Sequence, residues 1–117
     1  MGGVRILLVD DEAPLVGLLQ KYLERLGYEV EPCLTPADAL ARFEADPARF
    51  ALVLTDLTLP GMRGDEMINR MRLRVPTLRA VIASGYPYEA SGKWTRFLQK
   101  PFLPKMLAEQ IEELLRM

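Results

Sequence analysis

Acidic residues and one lysine stand at places in this 117-residue chain where they could act together: Asp10-Asp11-Glu12, Asp56 and Lys100. Each follows a short apolar, strand-like run, Val4 to Val9, Ala51 to Thr55 and Phe97 to Gln99 respectively. In an open parallel sheet the carboxyl ends of the strands share one edge, so residues just past three different strands can converge in a single crevice. Clustered carboxylates of that kind suit Mg²⁺, which prefers oxygen ligands, takes one or two carboxylates and keeps several waters. One carboxylate can then act as nucleophile in aspartyl phosphate formation. Lys100 would supply a positive charge to a phosphoryl oxygen, and the hydroxyl of Ser84, at the end of a further apolar run, a hydrogen bond to another.

The elements that must position these residues alternate. Val4 to Val9 is an almost unbroken apolar run, the pattern of a parallel strand covered on both faces. Leu15, Leu18, Leu19, Tyr22, Leu23 and Leu26 repeat at helical spacing behind Pro14, a first-turn residue, with Gly27 as a stop. Tyr28 to Pro32 reads as an edge strand, and Thr35-Pro36 opens a second helix with Ala37, Leu40, Ala41 and Phe43 on its apolar face. After the strand Ala51 to Thr55, Asp65 is expected to cap a helix with Met67, Ile68 and Met71 inward, ended by Val75-Pro76. Arg79 to Ala83 and Arg96 to Gln99 are the fourth and fifth strands, and Pro104 starts a last helix facing inward through Leu107, Ile111, Leu114 and Leu115. Strand and helix in alternation argue a doubly wound parallel α/β sheet with helices on both faces.

One interval breaks the rhythm. The fifteen residues between Ser84 and Lys100 must hold two connections and the fifth strand. An average helix takes about 11 to 12 residues, so the helix between the fourth and fifth strands is expected to be short, distorted or missing. Trp94, in this polar stretch, fits either a partner contact or a place over the sheet edge.

Composition narrows the function. Half the residues are hydrophobic and the formal net charge is -1, which suits a single globular domain over 1–117 and gives no basic footprint for nucleic acid. No apolar run approaches a membrane span, and a lone cysteine, Cys33, with no leader-like N-terminus reads as a packing residue in a cytoplasmic protein. There is no histidine, so any phosphohistidine donor must be another molecule. The methionines 62, 67, 71 and 106 read as core or loop residues.

Asp10-Asp11-Glu12, Asp56 with Leu57-Thr58-Leu59-Pro60-Gly61, Ser84-Gly85 and Lys100-Pro101-Phe102 together resemble the receiver domain of bacterial two-component response regulators. The stretches Ala83 to Pro87 and Phe97 to Phe102 look most like receivers attached to hybrid sensor histidine kinases. The resemblance implies a flavodoxin-like five-stranded sheet in the order 2-1-3-4-5. It implies that Asp56 is the phosphoacceptor, that Asp10, Asp11, Asp56 and the Thr58 carbonyl hold Mg²⁺, that Ser84 and Lys100 contact the phosphoryl group, and that Phe97 is a switch aromatic. The implied function is a phosphorelay switch, an enzyme only toward itself, whose partner is a histidine kinase or histidine phosphotransfer protein docking at the first helix from Ala13 to Val16. With no DNA-binding segment or output domain read in the chain, output is expected through protein contacts.

Taken singly, each motif also has an ordinary reading: a helix-capping acidic cluster, a turn aspartate, a solvated lysine, a Ser-Gly turn, an aromatic filling the core. Two other functions use the same residues, a receiver-like binding module that is never phosphorylated and a small Mg²⁺-dependent aspartyl phosphatase. The phosphatase usually needs a second carboxylate near its nucleophile, and the position two beyond Asp56 is Thr58.

Overall fold

The computed structural model describes residues 3–117. Five strands, β1 (Arg5–Val9), β2 (Glu29–Cys33), β3 (Leu52–Asp56), β4 (Arg79–Ser84) and β5 (Thr95–Gln99), form one parallel sheet in the order β2-β1-β3-β4-β5. Helices α1 (Ala13–Arg25), α2 (Pro36–Ala45), α3 (Gly64–Met71) and α4 (Pro104–Leu115) cover it on both faces.

The unbroken apolar strands have their cause in this layering. Ile6, Leu8, Leu52, Leu54 and Val81 pack with Val16, Leu19 and Leu23 of α1 and Leu107, Ile111 and Leu114 of α4. Their neighbours Leu7, Val9, Val53 and Ala80 point the other way, onto Ala39 and Phe43 of α2 and Met67, Ile68 and Met71 of α3. Successive strand side chains alternate between faces, so a sheet covered twice needs an apolar residue at every position.

Helix starts follow local chemistry. The Thr35 hydroxyl accepts from the Asp38 amide at 3.1 Å, capping α2 as the sequence indicates. Gly27, past the end of α1, has φ +99°, a conformation that favours glycine. Several expected boundaries shift. Asp65 does not cap α3: the cap position is Arg63, and Asp65 lies inside the first turn, its carboxylate accepting from the Arg63 guanidinium at 3.0 Å through both oxygens. The same helix ends at Met71, and turns carry the chain from there to Val75. Pro32 lies within β2, which runs on to Cys33; as an edge strand it leaves the proline's missing N–H without a ladder to break. Leu18 and Leu26 share the helical spacing of α1 but are exposed, as are Ala37 and Ala41 of α2.

No helix lies between β4 and β5. Residues 85–94 cross as an irregular segment, and Arg72 holds its far end. The Arg72 guanidinium donates to the Leu78 carbonyl (2.7 and 3.0 Å), the Trp94 carbonyl (3.1 Å) and the Thr95 hydroxyl (2.9 Å). Trp94 lies against the sheet edge, its ring flanked by Arg79 at 5.5 Å and Lys93 at 5.2 Å. No helix among the described residues is long and apolar enough to cross a membrane.

Candidate functional site

Strand register builds the site. Val9 pairs with Thr55, so the next residues, Asp10 and Asp56, emerge side by side at the carboxyl edge. Ser84 pairs with Gln99, and the Lys100 amide donates to the Ser84 carbonyl at 2.8 Å, which brings Lys100 in from the far side of β4. Its ammonium lies 3.1 Å from Asp10 Oδ2, 3.4 Å from Asp56 Oδ2 and 3.6 Å from Glu12 Oε1. Asp10, Asp11 and Asp56 each offer a carboxylate oxygen within 4.8 Å of the others. Thus the three aspartates and the lysine singled out from the sequence do meet.

The backbone around Asp56 is fixed on several sides. The Leu57 amide donates to the Ala83 carbonyl and the Gly64 amide to the Leu57 carbonyl, both at 2.8 Å, while the Thr55 hydroxyl donates to the Asp56 carbonyl at 2.9 Å. A Cβ on Gly64 would overlap the Asp56 carbonyl, so α3 can start this close only with glycine there. Sequence reasoning missed both Thr55 and Gly64. The only signal for Gly64 was its place in a turn-rich stretch. Asp10 is oriented by the Glu12 amide, which donates to its Oδ1 at 2.9 Å.

Electrostatics set Asp56 apart. Burial raises its pKa above the usual 3.8; the Lys100 charge and hydrogen bond and the Thr58 amide pull it down, and the Asp10 carboxylate pushes it further up. For Lys100, burial works against the charge, but the hydrogen bond to Asp10 and the carboxylates of Asp10, Asp56 and Glu12 outweigh it and raise the pKa. An aspartate crowded by a second carboxylate and half-neutralised by one ammonium has the charge environment of a cation and phosphoryl site.

The other expected residues take distinct places. Thr58 is exposed just past Asp56 and reaches it through its amide. Ser84 is buried at the end of β4, where its hydroxyl accepts from the Tyr86 amide at 3.0 Å. Phe97 is half-buried, its ring 6.1 Å from that of Tyr88. Tyr88 itself gave no sequence signal beyond being one of two tyrosines in the irregular segment. Beside the aspartates, Glu12, Leu15, Leu18, Leu19, Lys100 and Phe102 line an open, mostly apolar cleft of about 440 Å³.

A family model, response regulator receiver domain, matches residues 6–112. The response regulator receiver protein CpdR of Brucella abortus is 32% identical over 95% of this chain and 96% of its own length. In longer relatives the matching stretch is one part, 53% of the regulatory protein VanRB of Enterococcus faecalis and 13% of the sensor kinase CckA of Brucella abortus. Among solved structures, the receiver domain of the hybrid histidine kinase CckA superposes with TM-score 0.86 at 30% identity, covering 95% of this chain and 98% of that one. The response regulator TrrA of Thermotoga maritima, in complex with Mg²⁺-BeF, superposes with TM-score 0.82 at 27% identity over the same shares. Sheet order, the aspartate cluster at the carboxyl edge and these likenesses agree: the chain belongs to the response regulator receiver domain family and is similar to the receivers of hybrid kinases.

Proposed function

We propose that residues 1–117 form one receiver domain, a cytoplasmic phosphoacceptor switch that takes a phosphoryl group onto Asp56 from the phosphohistidine of a kinase or phosphotransfer protein. The observation that carries this reading is the Lys100 ammonium between Asp10 and Asp56, with Asp11 in the same oxygen cluster. In the transfer, an Asp56 oxygen forms a P–O bond as the donor's P–N bond breaks, and the imidazole nitrogen keeps the electron pair. Hydrolysis later returns the carboxylate and inorganic phosphate, so the chain acts only on itself.

Asp10, Asp11 and Asp56 would hold Mg²⁺ with the carbonyl of Thr58. Three carboxylate oxygens already close together, all hard donors, fit that ion, and the TrrA structure with Mg²⁺-BeF supports the assignment by likeness. Bound there, Mg²⁺ supplies neutralisation of the crowded carboxylates and a Lewis-acidic contact for a phosphoryl oxygen. Lys100 would move from the carboxylates to a phosphoryl oxygen, and the Ser84 hydroxyl would donate to another, giving up the Tyr86 amide. Phe97 would follow Ser84 by changing its packing, so a local charge event reaches the surface around β5. The donor would dock on α1 and the cleft beside it, where exposed Leu18 and half-buried Leu15 and Phe102 present apolar surface next to Asp56.

A phosphatase is disfavoured because Thr58 offers no carboxylate two residues past the nucleophile, and a module without the chemistry would have no need to keep Lys100 against two aspartates. The test is intact mass after incubation with a small-molecule phosphodonor, with and without Mg²⁺. A phosphoryl adduct that needs Mg²⁺ and disappears in Asp56→Asn is expected. No adduct on the folded chain, with candidate histidine phosphodonors also tried, would leave a fold used for binding alone.

A further inference from the structure

The segment 85–94 fills the place of the missing helix with few fixed points. At its start, the Tyr86 amide donates to the Ser84 hydroxyl at 3.0 Å. In its middle, Tyr88 reaches α3, with its hydroxyl 3.4 Å from Asp65 Oδ2 and its ring tilted at 54° against Phe97, 6.1 Å between centroids. Asp65 also accepts from the Arg63 guanidinium through both oxygens, so Tyr88 docks on a carboxylate already oriented by a second partner. Behind these contacts Asp65, Asn69, Arg72, Tyr88, Ser91 and Thr95 enclose a small polar cavity of about 70 Å³. A hydroxyl at 3.4 Å is at the long end of hydrogen bonding, and a polar cavity beside it can admit water, so this contact is one that can open.

We propose that Tyr88 is a latch, closing the 85–94 segment over Phe97 and α3 in the resting protein and opening when the Ser84 hydroxyl is drawn away from the Tyr86 amide. The inference rests on Asp56 being the phosphoacceptor, since that draws Ser84 away. In receivers of this build the segment would then carry the signal that a helix has no room to carry. The ring contributes most of the closing contact and the hydroxyl the smaller share, because apolar contact with Phe97 does not depend on the long Tyr88–Asp65 distance.

Cleavage after Glu89 by a glutamate-specific protease, which needs the segment to leave its docked path, reads the latch directly, in the resting protein and with Mg²⁺ and beryllofluoride as the phosphoryl stand-in. In the resting state, Tyr88→Ala is expected to speed this cleavage by about tenfold and Tyr88→Phe by about twofold, with amide exchange in β1 and β3 unchanged, as for loss of a local contact of ordinary strength. Beryllofluoride should speed the same cleavage in the wild type and add little in Tyr88→Ala. Coupling is reciprocal, so Tyr88→Ala should also bind beryllofluoride several-fold more tightly in a calorimetric titration. Unchanged cleavage in resting Tyr88→Ala, or equal beryllofluoride affinity in the two proteins, overturns the latch. Wild type that binds beryllofluoride without faster cleavage after Glu89 also overturns it while leaving Asp56 as the acceptor. Failure of the wild type to bind at all removes the reading of Asp56 and with it the trigger.

Discussion

Replacing Lys100 by methionine keeps most of the side-chain volume and removes the ammonium that faces Asp10, Asp56 and Glu12. At an effective dielectric of about 20, unit charges at the observed 3.1 and 3.4 Å from Asp10 and Asp56 attract by about 5 kcal/mol each. Removing Lys100 from water, and ordering its long side chain, offsets much of that. The Lys100 side chain keeps 20% of its exposure and Asp10 only 6%, so the aspartate left behind is the more costly of the two. We expect Lys100→Met to lose about 2 kcal/mol in chelator, below the 3–5 kcal/mol typical of breaking a fully buried pair, which is a Tm drop of about 10 °C for a chain this size. Mg²⁺ should narrow the gap. A dication and an ammonium serving the same carboxylates compete, so the variant gains more stability from saturating Mg²⁺ than the wild type does. Thermal melts of both proteins in chelator and in Mg²⁺ decide it. A variant as stable as wild type in chelator would show that the cluster's charges are solvated well enough not to need Lys100. An equal Mg²⁺ increment in both would show that Lys100 and the metal do not share carboxylates.

Three further outcomes follow from the geometry. The folded-state pKa of Asp56 is raised above 3.8, so its contribution to stability is fully present below about pH 4 and is lost as pH rises through the raised value; urea titrations in chelator should show wild type losing stability relative to Asp56→Asn across that window, while the gain from Mg²⁺, which needs the ionised carboxylate, grows over the same range. Gly64→Ala should destabilise the fold by about 2–3 kcal/mol and slow Mg²⁺-dependent phosphorylation, since the added Cβ pushes on the Asp56 carbonyl; wild-type stability and rate in this variant would mean that α3 can shift without moving Asp56. Burial pushes the Cys33 thiol from 9.0 up to about 12, so a thiol reagent should label the native protein only at its rate of unfolding, and the thiol's contribution to stability should fall away between about pH 9 and 12; rapid labelling of folded protein would contradict its burial.

The meeting of Asp10, Asp11, Asp56 and Lys100 was legible because it is carried by changes of pattern. An apolar run that stops at an acid or a lysine marks both a strand and its carboxyl end, and parallel register then brings Asp10, Asp56 and Lys100 together whatever the helices do. Helix limits were less legible because tertiary contacts set them. Asp65 has the side chain of a cap, but Gly64 must lie against the Asp56 carbonyl, so α3 starts two residues early and the freed carboxylate goes to Arg63 and Tyr88. The missing helix could be counted from fifteen residues; its replacement could not. Arg72 ties the far end of the segment from 22 residues away, donating to the Leu78 and Trp94 carbonyls and the Thr95 hydroxyl. A guanidinium carries five donors in a fixed fork, so one side chain can join the chain just before β4 to the start of β5. That tie holds the far end of the segment at Thr95 while its near end depends on Ser84 and Tyr88, so under the proposed latch a displacement of Ser84 is taken up between residues 85 and 92 and not at β5's first residue.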